Sequence, residues 1–429
     1  MVRETLTVTD NRTGQKFDVT IQQGSIRAAE LTGPFMTSAG PGLVIYDPGL
    51  AHTAICSSSI TNIELEAGML EHRGYSIEEL VARSTYLEVA YLLVYGELPT
   101  AAEFRAFQES LAQRKFVHEN VKRFIKGFRY DAQPMAMLAA SVGALGSFYA
   151  DAGDIADLDA RTAQLLRLMA KMPTLGAYAF RHGNGQPFVH PSDELSYTGN
   201  LLSMMFLMSE LRYQPRPQHE RALDVLLMVH ADHEQSAATT AVRAVGSAHV
   251  DPYAAVAAGV YALSGPMRGS ADRDTLRMLR EIGSVDAVPA FLARVRAGEQ
   301  RLHGFGHWVY RAIDPRAKLL RAQLDELSGS GPASPLLAVA DELARIVAQD
   351  DHFASRGIHP NVDLYAGLTY SAIGIPESMF GVMFAIARSA GWIAQWLEMV
   401  TDGELTTVRP RQLYTGSPRR AYVPLQERG

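Results

Sequence analysis

Two periods divide the chain. Near the N-terminus, Thr5-Leu6-Thr7-Val8 and Phe17-Asp18-Val19-Thr20-Ile21 alternate polar and apolar positions at a spacing of two, and Asp10-Asn11-Arg12-Thr13-Gly14 between them carries turn residues. Alternation at that period puts every second side chain on one face of a strand, so residues 1–60 are predicted as a small β-rich region. From Ser76 onward the pattern turns helical. Ser76-Ile77-Glu78-Glu79-Leu80 opens with a hydroxyl that can accept from free amides, followed by acids that suit the positive end of a helix dipole. Helical patterns then run to about residue 265, with breaks expected at Gly96–Pro99, Met172-Pro173 and Arg181–Pro187. In Asp286–Arg296, Val288, Phe291, Leu292 and Val295 fall on one face, an amphipathic stripe. Ser328–Pro335 is predicted as a loop between helices. The charge-free run Ala132–Ala150 is marginal for a span of ~20 apolar residues and contains Pro134, Ser141, Gly143, Gly146 and Ser147, so it is predicted as a buried helix. The pattern as a whole predicts a mainly α protein.

Composition narrows the function. With 429 residues and 47% hydrophobic content, the chain can bury a large core, and two or three domains are expected. A net charge of −6 with no basic stripe gives no surface for a nucleic acid. The single cysteine, Cys56, can form no internal disulfide and no cysteine zinc cluster. The start, MVRETLTVTD, lacks the apolar core of a signal peptide, so a cytoplasmic protein without a membrane partner is expected.

Candidate chemistry gathers in residues 263–318. An apolar helical run ends at Gly265-Pro266, a polar glycine-bearing loop follows, then a helix, then the loop Gly304-Phe305-Gly306-His307, with Arg311 and Arg316 beyond it. Loops between rigid helices can bring backbone and side chains close to a substrate, and arginines there suit a small anion. Asp363, in Pro360-Asn361-Val362-Asp363-Leu364-Tyr365, sits among apolar neighbours near a helix start. Two readings are open for it: a cap for that helix, or a carboxylate raised by partial burial into the range of a general base. His230 and His233 stand at i and i+3 on a predicted helix, Leu223–His233, and so would share a face. A polar cluster fits them better than a metal, because no third ligand is evident.

These residues together resemble the citrate synthase family over about residues 40–417. The motifs that carry the likeness are His230-Ala231-Asp232-His233-Glu234-Gln235, Gly304-Phe305-Gly306-His307, Asp314-Pro315-Arg316 and Asn361-Val362-Asp363-Leu364-Tyr365. The likeness is to the bacterial members with an extra β-rich N-terminus. It implies a large helical domain of 61–275 and 380–429 and a small helical domain of 276–379 inserted in it. It also implies a Claisen-type condensation of acetyl-CoA with oxaloacetate to a citrate-like product and free CoA, with no permanently bound cofactor and no metal. Other acyl-CoA and 2-oxo acid pairs, a 2-methylcitrate synthase among them, are the alternative.

The resemblance assigns roles residue by residue. Asp363 removes a methyl proton from the thioester, and His307 polarises the ketone. His233, Arg316, Arg388 and Arg409 hold carboxylates, the last crossing from a partner subunit, so a homodimer or hexamer is expected. Arg311 and Asn361 lie near CoA, which loops 303–316 and 359–363 would hold, since no Walker or Rossmann glycine motif is present. The family's G-P-x-H-G-G-A-N loop is altered here to Gly265-Pro266-Met267-Arg268-Gly269-Ser270-Ala271-Asp272. Arg268 replaces the histidine that donates to the thioester oxygen, Asp272 stands where asparagine is common, and Trp308 replaces a common arginine. Removing one such donor costs ~10²–10³ in rate, although arginine can also donate. A CoA- or dicarboxylate-binding paralogue without turnover is therefore the competing class.

Overall fold

The structure is a computed structural model that describes residues 4–35, 42–209, 212–265, 271–329, 334–403 and 406–428. Contacts divide the chain into two units, one formed by residues 1–57 and 408–429 and the other by residues 58–407.

The first unit carries the predicted N-terminal sheet. Thr5–Asp10 pairs antiparallel with Gln15–Gln22 in the register Val8 with Phe17, and Ser25–Ile26 adds a short third strand. The turn at residues 10–14 closes where expected: Asp10 accepts from the Arg12 guanidinium and backbone amide, and Gly14 takes φ 76°. From Val408 to Arg428 the described chain is exposed, with only a short 3₁₀ turn at Leu425–Glu427.

The second unit is helical, as the periodicity predicted, with a small antiparallel sheet of Thr61–Glu64, Met69–His72 and Tyr75–Ser76. Ser76 caps the helix Ile77–Arg83 by accepting the Glu79 amide. The helices Tyr86–Tyr95 and Ala101–Ala112 open with reciprocal capping boxes, Thr85 with Glu88 and Thr100 with Glu103. Gly96 ends the first of these at φ 93°, which a side chain would resist. Pro134–Leu145 is the buried helix expected of the charge-free run, and no described helix is long and apolar enough to cross a membrane. Val288–Arg296 buries Val288, Phe291 and Leu292, as its stripe requires.

Two sequence expectations fail in this unit. No break occurs at Met172-Pro173, because one helix runs from Leu158 to Gly183 through the proline. Proline has no N–H to give to Met169 four residues back, and the Tyr197 hydroxyl supplies the missing donor to that carbonyl at 3.1 Å. The second failure is the helix carrying both His230 and His233, which stops at His230. There the Ala231 carbonyl turns away to accept the Gly391 amide, so His230 and His233 do not share a helix face.

The core of this unit is organised on the helix Phe380–Thr401, which buries Trp392 and Trp396 completely. The buried Tyr86 hydroxyl donates to the Ile386 and Ala387 carbonyls, at 3.0 and 2.9 Å, and so fixes the turn of that helix that bears Arg388.

Candidate active site

Two loops clasp one another to build the site. Phe305 bridges Pro360, the Gly306 amide donates to the His359 carbonyl, and the Asn361 amide donates to the Gly304 carbonyl. The Asn361 side chain completes the strap, giving its amide to Gly306 O at 2.8 Å and accepting the Asp363 N–H at 2.9 Å. Gly304 takes φ 78° with Leu364 Cα 3.0 Å from where a side chain would start, so only glycine lets this loop rest on the start of the helix Asp363–Ala372. Asp314 adds a second tie by accepting the Val362 amide at 3.1 Å. Asn361 and Asp314 thus serve the helix start, and Asp363 follows them as its first residue. His307 and Asp363 line one cleft of about 600 Å³, together with His233, Arg316 and Arg388.

The arginines are held from behind. Arg316 is buried, and Asp314 accepts from its Nε at 2.9 Å and its Nη2 at 2.8 Å. Burial works against this guanidinium's charge, but the Asp314 carboxylate more than offsets it and raises the pKa. Arg388 is also buried, gives its Nε to the His230 carbonyl and stacks its guanidinium 4.7 Å from the Phe384 ring centroid. Burial lowers it to about 10, which leaves it cationic at neutral pH.

Imidazoles surround these two cations. His233 Nε2 meets the Tyr310 hydroxyl at 3.0 Å, and the His307 ring lies 5.2 Å from His233 and 4.8 Å from Tyr310. The Val309 amide donates to His307 Nδ1 at 3.0 Å. That nitrogen is therefore the acceptor, and the ring's proton sits on Nε2, where it can be donated. Burial, then the charges of Arg316 and Arg388, hold His230 and His233 well below the usual histidine range. His72, on the strand Met69–His72, is pushed down to about 3 by burial and the same two arginines. The site thus presents two fixed positive charges ringed by neutral imidazoles, an arrangement that attracts a small dianion. Asp232 beneath it is buried and has its pKa raised, chiefly by that burial.

The sequence-predicted residues distribute as follows. His307, Asp363, His233, Arg316, Arg388 and Asn361 come together at the cleft. Arg311 is exposed and pairs with the exposed Glu66 at 2.7 Å, while its backbone amide donates to Leu65 O. Arg409 is exposed in the unit that contains the C-terminal tail. Arg268 lies outside the described residues. Among those residues, no group of three or more metal-ligating side chains comes together. Three contributors escaped the sequence reading. His72 has no motif, Tyr310 could have been suspected from its position three residues after His307, and Asp314 was visible only as the neighbour of Arg316. Trp308 stands 89% exposed at the cleft mouth.

The chain is similar to known proteins along nearly its whole length. The family model for the citrate synthase C-terminal domain matches residues 49–411. A citrate synthase of Dictyostelium discoideum is 42% identical over 99% of this chain and 85% of its own length. A peroxisomal citrate synthase of the same organism is 43% identical over 99% of this chain and 88% of its own length. Among solved structures, the citrate synthase of Pyrobaculum aerophilum superposes with a TM-score of 0.84 at 34% identity, covering 92% of this chain and 97% of that one. The Thermoplasma acidophilum enzyme, solved as a ternary complex with carboxymethyl coenzyme A and oxaloacetate, gives 0.81 at 29% identity, covering 89% of this chain and 99% of that one. A helical body whose arginine-lined cleft joins a histidine loop to an aspartate helix start is thus matched along nearly its whole length, and the chain belongs to the citrate synthase family of transferases.

Proposed function

We propose that the chain condenses acetyl-CoA with oxaloacetate to citrate and free CoA. The observation that carries this reading is the cleft itself, where a carboxylate and a neutral imidazole donor face a volume framed by two buried guanidinia. Arg316 and Arg388 grip the carboxylates of the 2-oxo diacid, with His233 beside them. Asp363 takes a proton from the thioester methyl group, and its C–H electron pair becomes the enolate. The enolate carbon attacks the ketone carbon while His307 Nε2–H donates to the oxygen that becomes a hydroxyl. Water then cleaves the thioester and releases CoA. Arg268 is the donor to the thioester oxygen during enolate formation, with a permanent charge in place of the family's imidazole.

CoA lies along the loops 303–316 and 359–363. Arg311 can leave its exposed Glu66 pair for a phosphate, since such pairs are worth under ~1 kcal/mol. Asn361 acts by holding the loop through its side-chain amide, which bonds to Gly306 and to the Asp363 N–H. The segment 276–379 is the small domain that closes over the substrates and excludes water. A homodimer, alone or within a hexamer, completes the site with the partner's Arg409. The exposed apolar side chains of the tail, Val408, Leu413, Tyr414, Tyr422 and Leu425, support a partner surface there.

Thiol release from purified protein, with a panel of acyl-CoAs and 2-oxo acids, tests the assignment. Release with acetyl-CoA and oxaloacetate at ordinary enzyme rates supports it. Faster release with propionyl-CoA moves it to 2-methylcitrate synthesis. Binding without turnover, restored by Arg268→His, points to the non-catalytic reading that Arg268 alone favours.

A further inference from the structure

The helix Ala271–Ile282 packs closely against the helix Asp363–Ala372 in their first turns. Gly367 allows this, since a side chain there would start 3.0 Å from the Asp272 carbonyl and 3.1 Å from Leu276. Two helix N-termini therefore converge, and each brings a carboxyl to the junction: Asp363 as the first residue of its helix, Asp272 as the second of its own. The Asp272 carboxyl stands within reach of that of Asp363, and its Oδ1 is buried with no hydrogen-bond partner among the described residues. Two carboxyl oxygens can share a hydrogen bond only when one of them holds a proton. Among the described residues, the charged and titratable groups facing Asp272 are Asp363 and Tyr370 on the opposite helix and Arg273 on its own. Tyr370 is fully buried and its hydroxyl also lacks a partner among the described residues. The Arg316 guanidinium, across the cleft, feels the charge of Asp363.

We propose that Asp272 is the proton-holding partner of Asp363, so that the two carboxyls form a pair with one shared proton and Asp272 positions and tunes the base without touching substrate. This rests on the reading of Asp363 as the base. The converging helix ends favour one negative charge at the junction but not two at contact distance. Burial first, and the Asp363 charge second, hold the Asp272 carboxyl well above the usual carboxylate range, in keeping with a neutral acid. Asp272 then donates to the Asp363 carboxylate and fixes which oxygen faces the cleft. When Asp363 takes a proton from the thioester methyl, the pair goes from one proton to two and from one negative charge to none, with the electron pair left on the enolate. The pair titrates as a unit, and its apparent pKa values belong to both residues.

The test is an infrared difference spectrum at neutral pH in the region of protonated carboxyl C=O stretching. Wild type minus Asp272→Asn should show one protonated acid, and Asp363→Asn should shift that band, because its hydrogen bond would then go to an amide. A wild-type spectrum that Asp272→Asn leaves unchanged, or a band unmoved in Asp363→Asn, overturns the proposal. Stability supplies an independent arm. A folded-state pKa above the unfolded value makes stability fall as pH rises, so Asp272→Asn should melt progressively above wild type as pH rises above the ordinary carboxylate range. A gap that does not widen with pH overturns the pairing. In the thiol-release assay, Asp272→Asn should keep the KM for the 2-oxo acid and move the alkaline limb of the kcat/KM profile, and an unmoved limb contradicts the tuning. If the acid band is present but wild type releases no thiol, the pair stands and the proposed reaction fails. If thiol is released without the band, the reaction stands and the pair fails.

Discussion

Removing the charge of Asp314 is the sharpest test of how the site is held. Its carboxylate is 1% exposed and accepts four hydrogen bonds: Arg316 Nε at 2.9 Å, Nη2 at 2.8 Å, the Arg316 amide at 3.0 Å and the Val362 amide at 3.1 Å. Asp314→Asn keeps the shape and deletes the charge. Arg316 is then a buried cation without its partner, which costs about 3–5 kcal/mol. The asparagine carbonyl retains some of the four bonds, so the expected loss lies near the lower end, about 3 kcal/mol. Urea unfolding should show this as a lower midpoint at constant slope. The paired change Asp314→Leu with Arg316→Met removes both charges together, and should recover at least half of the loss although it destroys substrate binding. The same single variant should reduce kcat/KM for thiol release about 10²-fold, because Arg316 and the start of the Asp363 helix both lose their tie. A loss of stability under about 1 kcal/mol, or a double variant less stable than the single one, would show that Asp314 is not what holds Arg316 in place.

Other consequences can be measured separately. Asp363→Asn should lower kcat by ~10²–10⁴ with little change in the oxaloacetate KM, since it removes the proposed base and leaves the guanidinia; a large KM effect with kcat intact would place it among the binding residues. Arg388→Lys should weaken dicarboxylate binding by about 2 kcal/mol or more by calorimetry, because one ammonium cannot reproduce a planar fork, and unchanged affinity would remove Arg388 from the site. His72, His230 and His233 are held neutral by burial and by Arg316 and Arg388. Each has a folded-state pKa below its unfolded one, so its contribution is complete above about pH 6.5 and is lost as pH falls below it. Stability should drop by about 1.4 kcal/mol per pH unit per histidine in that window, and a flat profile between about pH 6 and about pH 4 would contradict the burial argument. Tyr197→Phe should cost about 1–3 kcal/mol by orphaning the Met169 carbonyl above Pro173, and no loss would mean that another group serves that carbonyl. Trp308 is the exposed tryptophan, Trp392 and Trp396 being fully buried, so its emission should shift when oxaloacetate and a CoA analogue bind, and a response unchanged in Trp308→Phe would place the signal elsewhere.

What could be read from the sequence follows from how local each feature is. The N-terminal hairpin was legible because period two and a turn sequence sit within eighteen residues of each other, from Thr5 to Gln22. The cap at Ser76, the left-handed stop at Gly96 and the stripe of Val288–Arg296 are likewise short-range. Pro173 misled because the donor that excuses it, Tyr197, lies 24 residues on. The end of the helix at His230 was hidden because the group that captures the Ala231 carbonyl is Gly391. The same logic governs the site. His307, Asp363, Arg316 and Arg388 announced themselves through motifs, while His72 enters only because a strand places it behind the arginines. Asp272 was visible as a departure from the family pattern. Its contact with Asp363 needed the close approach at Gly367, which no linear spacing encodes.

The proposed function depends on Asp363 and His307 acting together on substrates gripped by Arg316 and Arg388. The most direct measurement is single-turnover thiol release from acetyl-CoA whose methyl group carries deuterium, with oxaloacetate, in wild type, Asp363→Asn and His307→Ala. Oxaloacetate-dependent release, slowed by a primary isotope effect, is expected in wild type, with near-complete loss in both variants. Release that ignores the deuterium, or that survives in Asp363→Asn, would contradict it.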